Sequence, residues 1–192
     1  LPKWIPVTVE FPTEWKILLM EHVQFYRSLN EVEQPKFELQ VQEFLLNCKV
    51  TGVKTEITTL NKLLVASSAV IPVFGFDEWK YTNIREVLIY PNMFNDEFEI
   101  SGGDRKILGM VGNKSMEGIM ILSKKALELG FNNDTDKKNT AIHEFVHLID
   151  KTDGKVDGIP SALLEHQYVM PWVNILHAEM EKMYAGKSDI NP

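Results

Sequence analysis

The stretch AIHEFVHLID, residues 141–150, places two histidines four positions apart, with a glutamate directly after the first. On an α-helix, His143 and His147 project from one face, one turn apart. Two imidazole nitrogens at this spacing can bind one zinc ion at about 2.0–2.1 Å each. Glu144 lies beside them and can take a proton from a zinc-bound water, whose pKa falls toward about 7. The pattern H-E-x-x-H therefore predicts a metal-site helix with His143 and His147 as ligands and Glu144 as general base.

The alternative interpretation is a structural helix in which the polar residues have no chemical role. On a buried helix, the apolar residues of the stretch would face the core whatever the histidines do; these are Ile142, Phe145, Val146 and Ile149. However, burying His143, Glu144 and His147 beside them without partners would be energetically costly. The sequence therefore favours the metal site.

The spacing of the motif does not identify a third protein ligand. A glutamate on a later helix is a common arrangement, and Glu165 follows His147 by 18 residues. Asp153 occupies the last position of the extended pattern H-x-x-G-x-x-H, although Asp150 replaces its glycine. Three further donors on the last predicted helix are more simply interpreted as a solvated face: His177, Glu179 and Glu181. The residues alone leave these alternatives open.

Composition and charge narrow the class of protein. The 192 residues include 20 basic and 27 acidic side chains, for a net charge of −7, which disfavours charge-driven binding to nucleic acid. The sequence contains no apolar run of roughly 18 residues, the length that a transmembrane helix needs. The single cysteine, Cys48, cannot form an internal disulfide, which is typical of a cytoplasmic protein. Because the chain begins at Leu1 without an initiator methionine, a membrane anchor encoded upstream would not be visible in it.

Hydrophobic periodicity and turn residues predict helices first, then a small sheet, then helices again. The predicted helices cover residues 13–29, 35–48, 61–71, 124–130 and 161–184, and the motif helix runs from a cap at Asp134 or Thr135 to about Asp150. The predicted strands cover residues 50–58, 85–91, 106–112 and 118–123. Thr13 is the expected cap of the first helix, and Gly130 the expected end of the helix before the motif. This order indicates an α+β fold with a helical N-terminal part, 1–58, and a part with a small mixed sheet and the motif helix, 59–192.

Six segments, in this order, resemble the Mlc titration factor A group of bacterial zinc metallopeptidases: AVIPVFGFDEW, REVLIYPNMF, GIMILSKKAL, IHEFVHLID, DGKVDGIP and KSDINP. The resemblance covers about two-thirds of the chain. This group is distantly similar to the catalytic domain of anthrax lethal factor. The resemblance implies a zincin-like catalytic domain, with His143 and His147 as zinc ligands and Glu144 as general base.

The resemblance also implies a location for the missing ligand. In the family, the third ligand is a glutamate on a helix that follows the segment matching KSDINP, so we expect it beyond Pro192. We accordingly expect this chain to be truncated at its C-terminus, to bind zinc weakly and to be inactive alone. GIMILS, residues 118–123, is the candidate edge strand that would hold an extended substrate beside the metal. An ordinary core strand is the alternative.

Two functions follow from these expectations. The first is a zinc-dependent peptidase, aminopeptidase-like by resemblance, that acts on a peptide or protein substrate. The second is a non-catalytic, protein-binding regulator that sequesters a transcriptional repressor, since members of the family are associated with the glucose repressor Mlc. In that case the N-terminal helices would form the binding surface. Exchange of Glu144 for glutamine separates the two functions, because it removes the general base.

Overall fold

The computed structural model of the chain describes residues 4–76, 79–92, 109–111, 117–132, 138–154 and 163, with separate positions between 174 and 185. The helices of these residues are α1 (Thr13–His22), α2 (Gln24–Ser28), α3 (Glu33–Asn47), α4 (Thr59–Val70), α5 (Lys124–Asn132) and α6 (Thr140–Asp150). Their strands are β1 (Lys49–Gly52), β2 (Glu86–Tyr90), β3 (Gly109–Val111) and β4 (Ile119–Ser123). Short 3-10 turns follow α4 at Ile71–Val73 and α6 at Lys151–Asp153. None of the helices in the described ranges is long and apolar enough to cross a lipid bilayer.

The strands form one mixed sheet in the order β1-β2-β4-β3. β1, β2 and β4 run parallel, and β3 runs antiparallel to β4 with Met110 opposite Ile121. The parallel neighbours β1 and β2 are joined by a crossover that contains α4, as parallel pairing requires. The predicted α+β class with a small mixed sheet is therefore confirmed.

The GIMILS segment differs from its predicted place in the sheet. It forms β4, which pairs with β2 on one side and with β3 on the other, so the prediction of an edge strand is wrong. The last four of its five strand residues are buried, as in a strand covered on both faces. Among the described strands, β1 and β3 are the edges, and β3 is the one that packs against α6.

The first predicted helix has different bounds in the structure. The helix expected over residues 13–29 is interrupted at Val23, whose extended backbone (φ −119°, ψ 98°) separates α1 from α2. Thr13 is the first residue of α1 and not its cap. The cap position belongs to Pro12, which has extended backbone and makes no side-chain cap hydrogen bond.

The strand predicted over residues 50–58 is shorter than expected and ends at Gly52. The chain folds back there so tightly that a Cβ atom on Gly52 would lie only 2.2 Å from the carbonyl oxygen of Thr55. α4 then begins with a capping box, in which Thr58 accepts a hydrogen bond from the Asn61 backbone and the Asn61 side chain accepts one from the Thr58 backbone. The start of this helix is therefore defined by a side-chain pair that hydrophobic periodicity does not detect.

The later helices follow the predictions with shifted ends. α5 continues past Gly130 to Asn132, so the predicted end at Gly130 is wrong. The last predicted helix, 161–184, falls mostly outside the described residues, but positions 174, 175, 177, 178 and 180–182 are helical.

α6 buries one face in the hydrophobic core and leaves the other exposed. Ala141, Phe145, Leu148 and Ile149 are buried. The Phe145 ring centroid lies 5.6 Å from that of Phe44 in α3 and 5.5 Å from that of Tyr81.

Val146, which the sequence pattern assigned to the core, is 46% exposed. It stands three residues after His143, so it lies on the same side of the helix as that histidine. The core therefore holds α6 by its apolar face and presents the histidines on the opposite face.

Candidate metal centre

The first turn of α6 is fixed by Asn139. Its Oδ1 atom accepts a 3.1 Å hydrogen bond from the Ile142 N–H and caps the helix. Its Nδ2 atom donates a 3.0 Å hydrogen bond to the carbonyl oxygen of Gly130 in α5. The predicted caps, Asp134 and Thr135, are therefore wrong, because the helix begins directly after Asn139. An asparagine just before the apolar-periodic residues was the available sequence signal.

The last turn of α6 is fixed by Asn83, in the loop before β2. Its Nδ2 atom donates a 2.7 Å hydrogen bond to the carbonyl oxygen of Leu148. The Thr152 hydroxyl donates a 2.6 Å hydrogen bond to the carbonyl oxygen of Ile149. These bonds satisfy carbonyl groups that a helix end leaves without intrahelical partners. Sequence reasoning missed Asn83, because nothing local marks a residue that is 65 positions away from its partner.

The two histidines of the motif converge on the exposed face of α6. Their Nε2 atoms lie 2.9 Å apart, and their ring centroids lie 4.4 Å apart at an interplanar angle of 84°. With metal–nitrogen bonds of about 2.0–2.1 Å, two nitrogens of a tetrahedral zinc site lie about 3.3 Å apart. A small rotation of either ring would produce that separation. His143 and His147 therefore fit two corners of a zinc site.

Glu144 lies on the side of α6 that faces β3 and is half-buried. Burial raises the pKa of its carboxyl group above the ordinary value, while the positive charges of His143 and His147 act in the opposite direction. A carboxylate in such surroundings can exchange a proton with a nearby water and hold that proton more readily than an exposed carboxylate can.

The third ligand is not found among the described side chains. Within the described ranges, no group of three or more His, Cys, Asp or Glu residues could hold a metal ion. Of the sequence candidates, Glu165 and Glu179 lie outside the described residues, and Asp153 lies in the 3-10 turn after α6. His177 and Glu181 occupy described helical positions and are exposed. The described part of the chain thus offers two candidate metal donors, His143 and His147, and one adjacent carboxylate, Glu144.

Comparisons with known proteins agree with a metallopeptidase motif. The sequence model of the family described as Glucose-regulated metallo-peptidase M90 matches residues 5–192. An uncharacterized protein of Synechocystis sp. is 23% identical over 180 residues, which is 90% of this chain and 64% of that protein. A protein named Mlc titration factor A, from Klebsiella pneumoniae subsp. pneumoniae, is 28% identical over 163 residues, 81% of this chain and 59% of that protein. The chain thus spans about six-tenths of the length of these relatives.

Proposed function

Because the chain belongs to the Glucose-regulated metallo-peptidase M90 family, we propose that it carries the metal-binding helix of a zinc-dependent peptidase. In this proposal His143 and His147 bind zinc through their Nε2 atoms, and Glu144 is the general base. The observation that supports it most directly is the 2.9 Å separation of the two Nε2 atoms on an exposed helix face. The bonds from Asn139 and Asn83 at the two ends of α6 hold that face in place.

The chemistry of the proposal divides between the metal and the protein. A bound zinc ion would lower the pKa of the water that it coordinates and would polarise the scissile carbonyl. Glu144 takes the proton of the attacking water on a carboxylate oxygen and passes it to the nitrogen of the leaving amine. Its partial burial favours this role, because a proton taken from water is then held until the amine departs.

The substrate is proposed to be a peptide or protein bound in extended form along β3. This strand is an edge among the described strands and packs against α6, so the backbone groups on its outer side, which pair with no described strand, can add a substrate strand beside Glu144. It replaces GIMILS in this role. We also propose that the cleavage is aminopeptidase-like, as the family resemblance implies.

The third zinc ligand is proposed to be a glutamate encoded after Pro192. The resemblance supports this location, and no described cluster completes the site. Elemental analysis of zinc on this chain and on the full-length gene product, both prepared without chelator, tests it. One zinc per long chain and little in the short chain is the expected result. Stoichiometric zinc in the short chain would instead point to Glu165 or Asp153, and no zinc in either would exclude the zinc peptidase.

A second candidate function is the binding of a transcriptional repressor, as the name of the Klebsiella relatives suggests. Exposed apolar side chains on the N-terminal helices support it. Ile17 and Met20 of α1 are 54% and 43% exposed and line a groove of about 460 Å³. A second groove, of about 430 Å³, is lined by Leu39 of α3, which is 52% exposed. Lys16 and Glu38, which form a 2.8 Å ion pair, line both grooves. None of the motif residues lines either groove.

A cytoplasmic location is also proposed for the protein. The single cysteine, Cys48, is a buried free thiol, and such a thiol is stable in a reducing compartment.

A further inference from the structure

Gly109, the first residue of β3, lies directly against the side chain of Glu144. A Cβ atom built on Gly109 would lie 2.8 Å from Glu144 Cγ and 3.1 Å from Glu144 Oε1. It would also lie 3.0 Å from Cγ2 of Thr140, one turn earlier on α6. Side-chain carbons essentially never approach so closely. Any residue other than glycine at this position would therefore force a shift, and the Glu144 side chain contributes two of the three atoms that the new Cβ would meet.

The requirement for glycine here is spatial and not conformational. Glycines are often needed where the backbone adopts a positive φ angle. Among the described glycines, only Gly118 and Gly154 have positive φ angles, so Gly109 is not one of them. What matters at Gly109 is the missing side chain, which allows the edge strand to approach the motif helix closely.

The contact has a consequence for the Glu144 carboxylate. No hydrogen bond to another described residue fixes this carboxylate, so within the described part of the chain its direction is set by packing. The backbone of β3 forms one wall of that packing, and the contact involves Cγ in the middle of the side chain as well as the terminal oxygen. A shift of Cγ changes the direction of the whole carboxylate.

We infer that Gly109 is a positioning residue for Glu144: by lacking a side chain, it leaves room for the conformation that the Glu144 side chain adopts against β3. This inference rests on the proposed function, since it concerns the general base of that reaction. Gly109 bears most directly on Glu144, because two of the three atoms nearest to its added Cβ belong to that side chain and the third belongs to Thr140.

The first test compares Gly109→Ala with a matched control, Gly75→Ala, in the full-length gene product. Gly75 has no atom within 4 Å of an added Cβ and lacks a positive φ angle, so the control should behave as wild type. The probe is a fluorogenic peptide that the wild-type protein cleaves, chosen from an internally quenched peptide library. We expect Gly109→Ala to keep its zinc and its KM while kcat falls on the order of 100-fold, as for a misplacement of about 1 Å at a reacting group.

Three results of this test would overturn the inference. A wild-type kcat in Gly109→Ala would mean that Glu144 is not displaced. Loss of zinc would mean that the glycine acts on the metal site, and a raised KM with unchanged kcat would mean that it acts on substrate binding.

A second test reads the contact without any activity. The urea midpoints of wild type, Gly109→Ala, Glu144→Ala and the double variant form a cycle. We expect Gly109→Ala to lower the midpoint less in the Glu144→Ala background, because the added methyl group then has room. Equal losses in both backgrounds would refute the contact. If the wild type cleaves no peptide, the proposed function fails on its own, and this cycle still decides whether Gly109 sets the position of Glu144.

Discussion

Asn139 donates a 3.0 Å hydrogen bond through Nδ2 to the carbonyl oxygen of Gly130 and thereby ties the start of the motif helix to α5. The Asn139 side chain lies so close to Gly130 that a Cβ atom on Gly130 would lie 2.8 Å from Cγ of Asn139. The same side chain caps α6 through Oδ1. One residue therefore sets both where the helix starts and where its N-terminal end lies in the fold.

Replacement of Asn139 by alanine removes the cap and the link to α5 together. We expect the free energy of unfolding to fall by about 1–2 kcal/mol, the usual cost of losing a helix cap plus a further hydrogen bond. Urea unfolding followed by circular dichroism measures this loss. Asn139→Ser is the matched control, because a serine hydroxyl can still cap the helix but is too short to reach Gly130. The stability of Asn139→Ser should lie between that of the wild type and that of Asn139→Ala. A loss as large as that of Asn139→Ala would mean that the cap contributes nothing.

Replacement of Glu144 by glutamine tests the general base. The amide keeps the size of the side chain but cannot accept the proton, so we expect kcat for peptide cleavage to fall by about 10²–10⁴-fold. Bound zinc in the full-length product should not change. If the purified Mlc repressor binds the two grooves that Ile17, Met20 and Leu39 line, its binding should also persist. Peptidase activity that survives in Glu144→Gln would exclude this residue as the base.

The part of the site that the sequence predicts is the part encoded by local spacing. His143, Glu144 and His147 lie on one helix, so a 3.6-residue period alone places them together, and the family resemblance drawn from ordered segments is confirmed by the match over residues 5–192. The α+β class follows equally from local periodicity.

The features that the sequence did not reveal depend on contacts between distant segments. The bond from Asn83 to Leu148 and the approach of Gly109 to Glu144 both join separate elements, and no pattern within a short window encodes them. The place of GIMILS inside the sheet has the same cause, because strand order is set by how segments pair and not by the composition of one segment.

Replacement of either motif histidine tests the metal site. In the full-length product, His143→Ala and His147→Ala should each abolish stoichiometric zinc, because the remaining imidazole and the proposed glutamate leave the site one protein ligand short of three. Elemental analysis after dialysis measures this. His22→Ala is the control, since His22 lies in α1 and its ion-pair partner among the described residues is its neighbour Glu21 at 3.9 Å. Stoichiometric zinc in both motif variants would show that the ion binds elsewhere.

The buried thiol of Cys48 gives a prediction for alkaline pH. Burial, followed by the negative charge of Glu86, raises the pKa of Cys48 to about 12 in the folded protein. In the unfolded chain the thiol has a pKa of about 8.5, so above that pH the unfolded state binds fewer protons than the folded state. The contribution to stability is complete below about pH 8.5 and is lost as the pH rises toward about 12. At pH 9.5 the loss relative to pH 7 is about 1.4 kcal/mol.

Urea unfolding at pH 7 and at pH 9.5, for the wild type and for Cys48→Ala, measures this contribution. The alanine variant can be less stable at both pH values because it leaves a small cavity, so only the difference between the two pH values counts. That difference should be smaller in Cys48→Ala by about 1.4 kcal/mol. Burial also raises the pKa of Tyr81, but tyrosine ordinarily titrates near pH 10, and this contribution is common to both proteins. Equal pH differences in the two would mean that the Cys48 thiol ionises as easily in the folded chain as in the unfolded one.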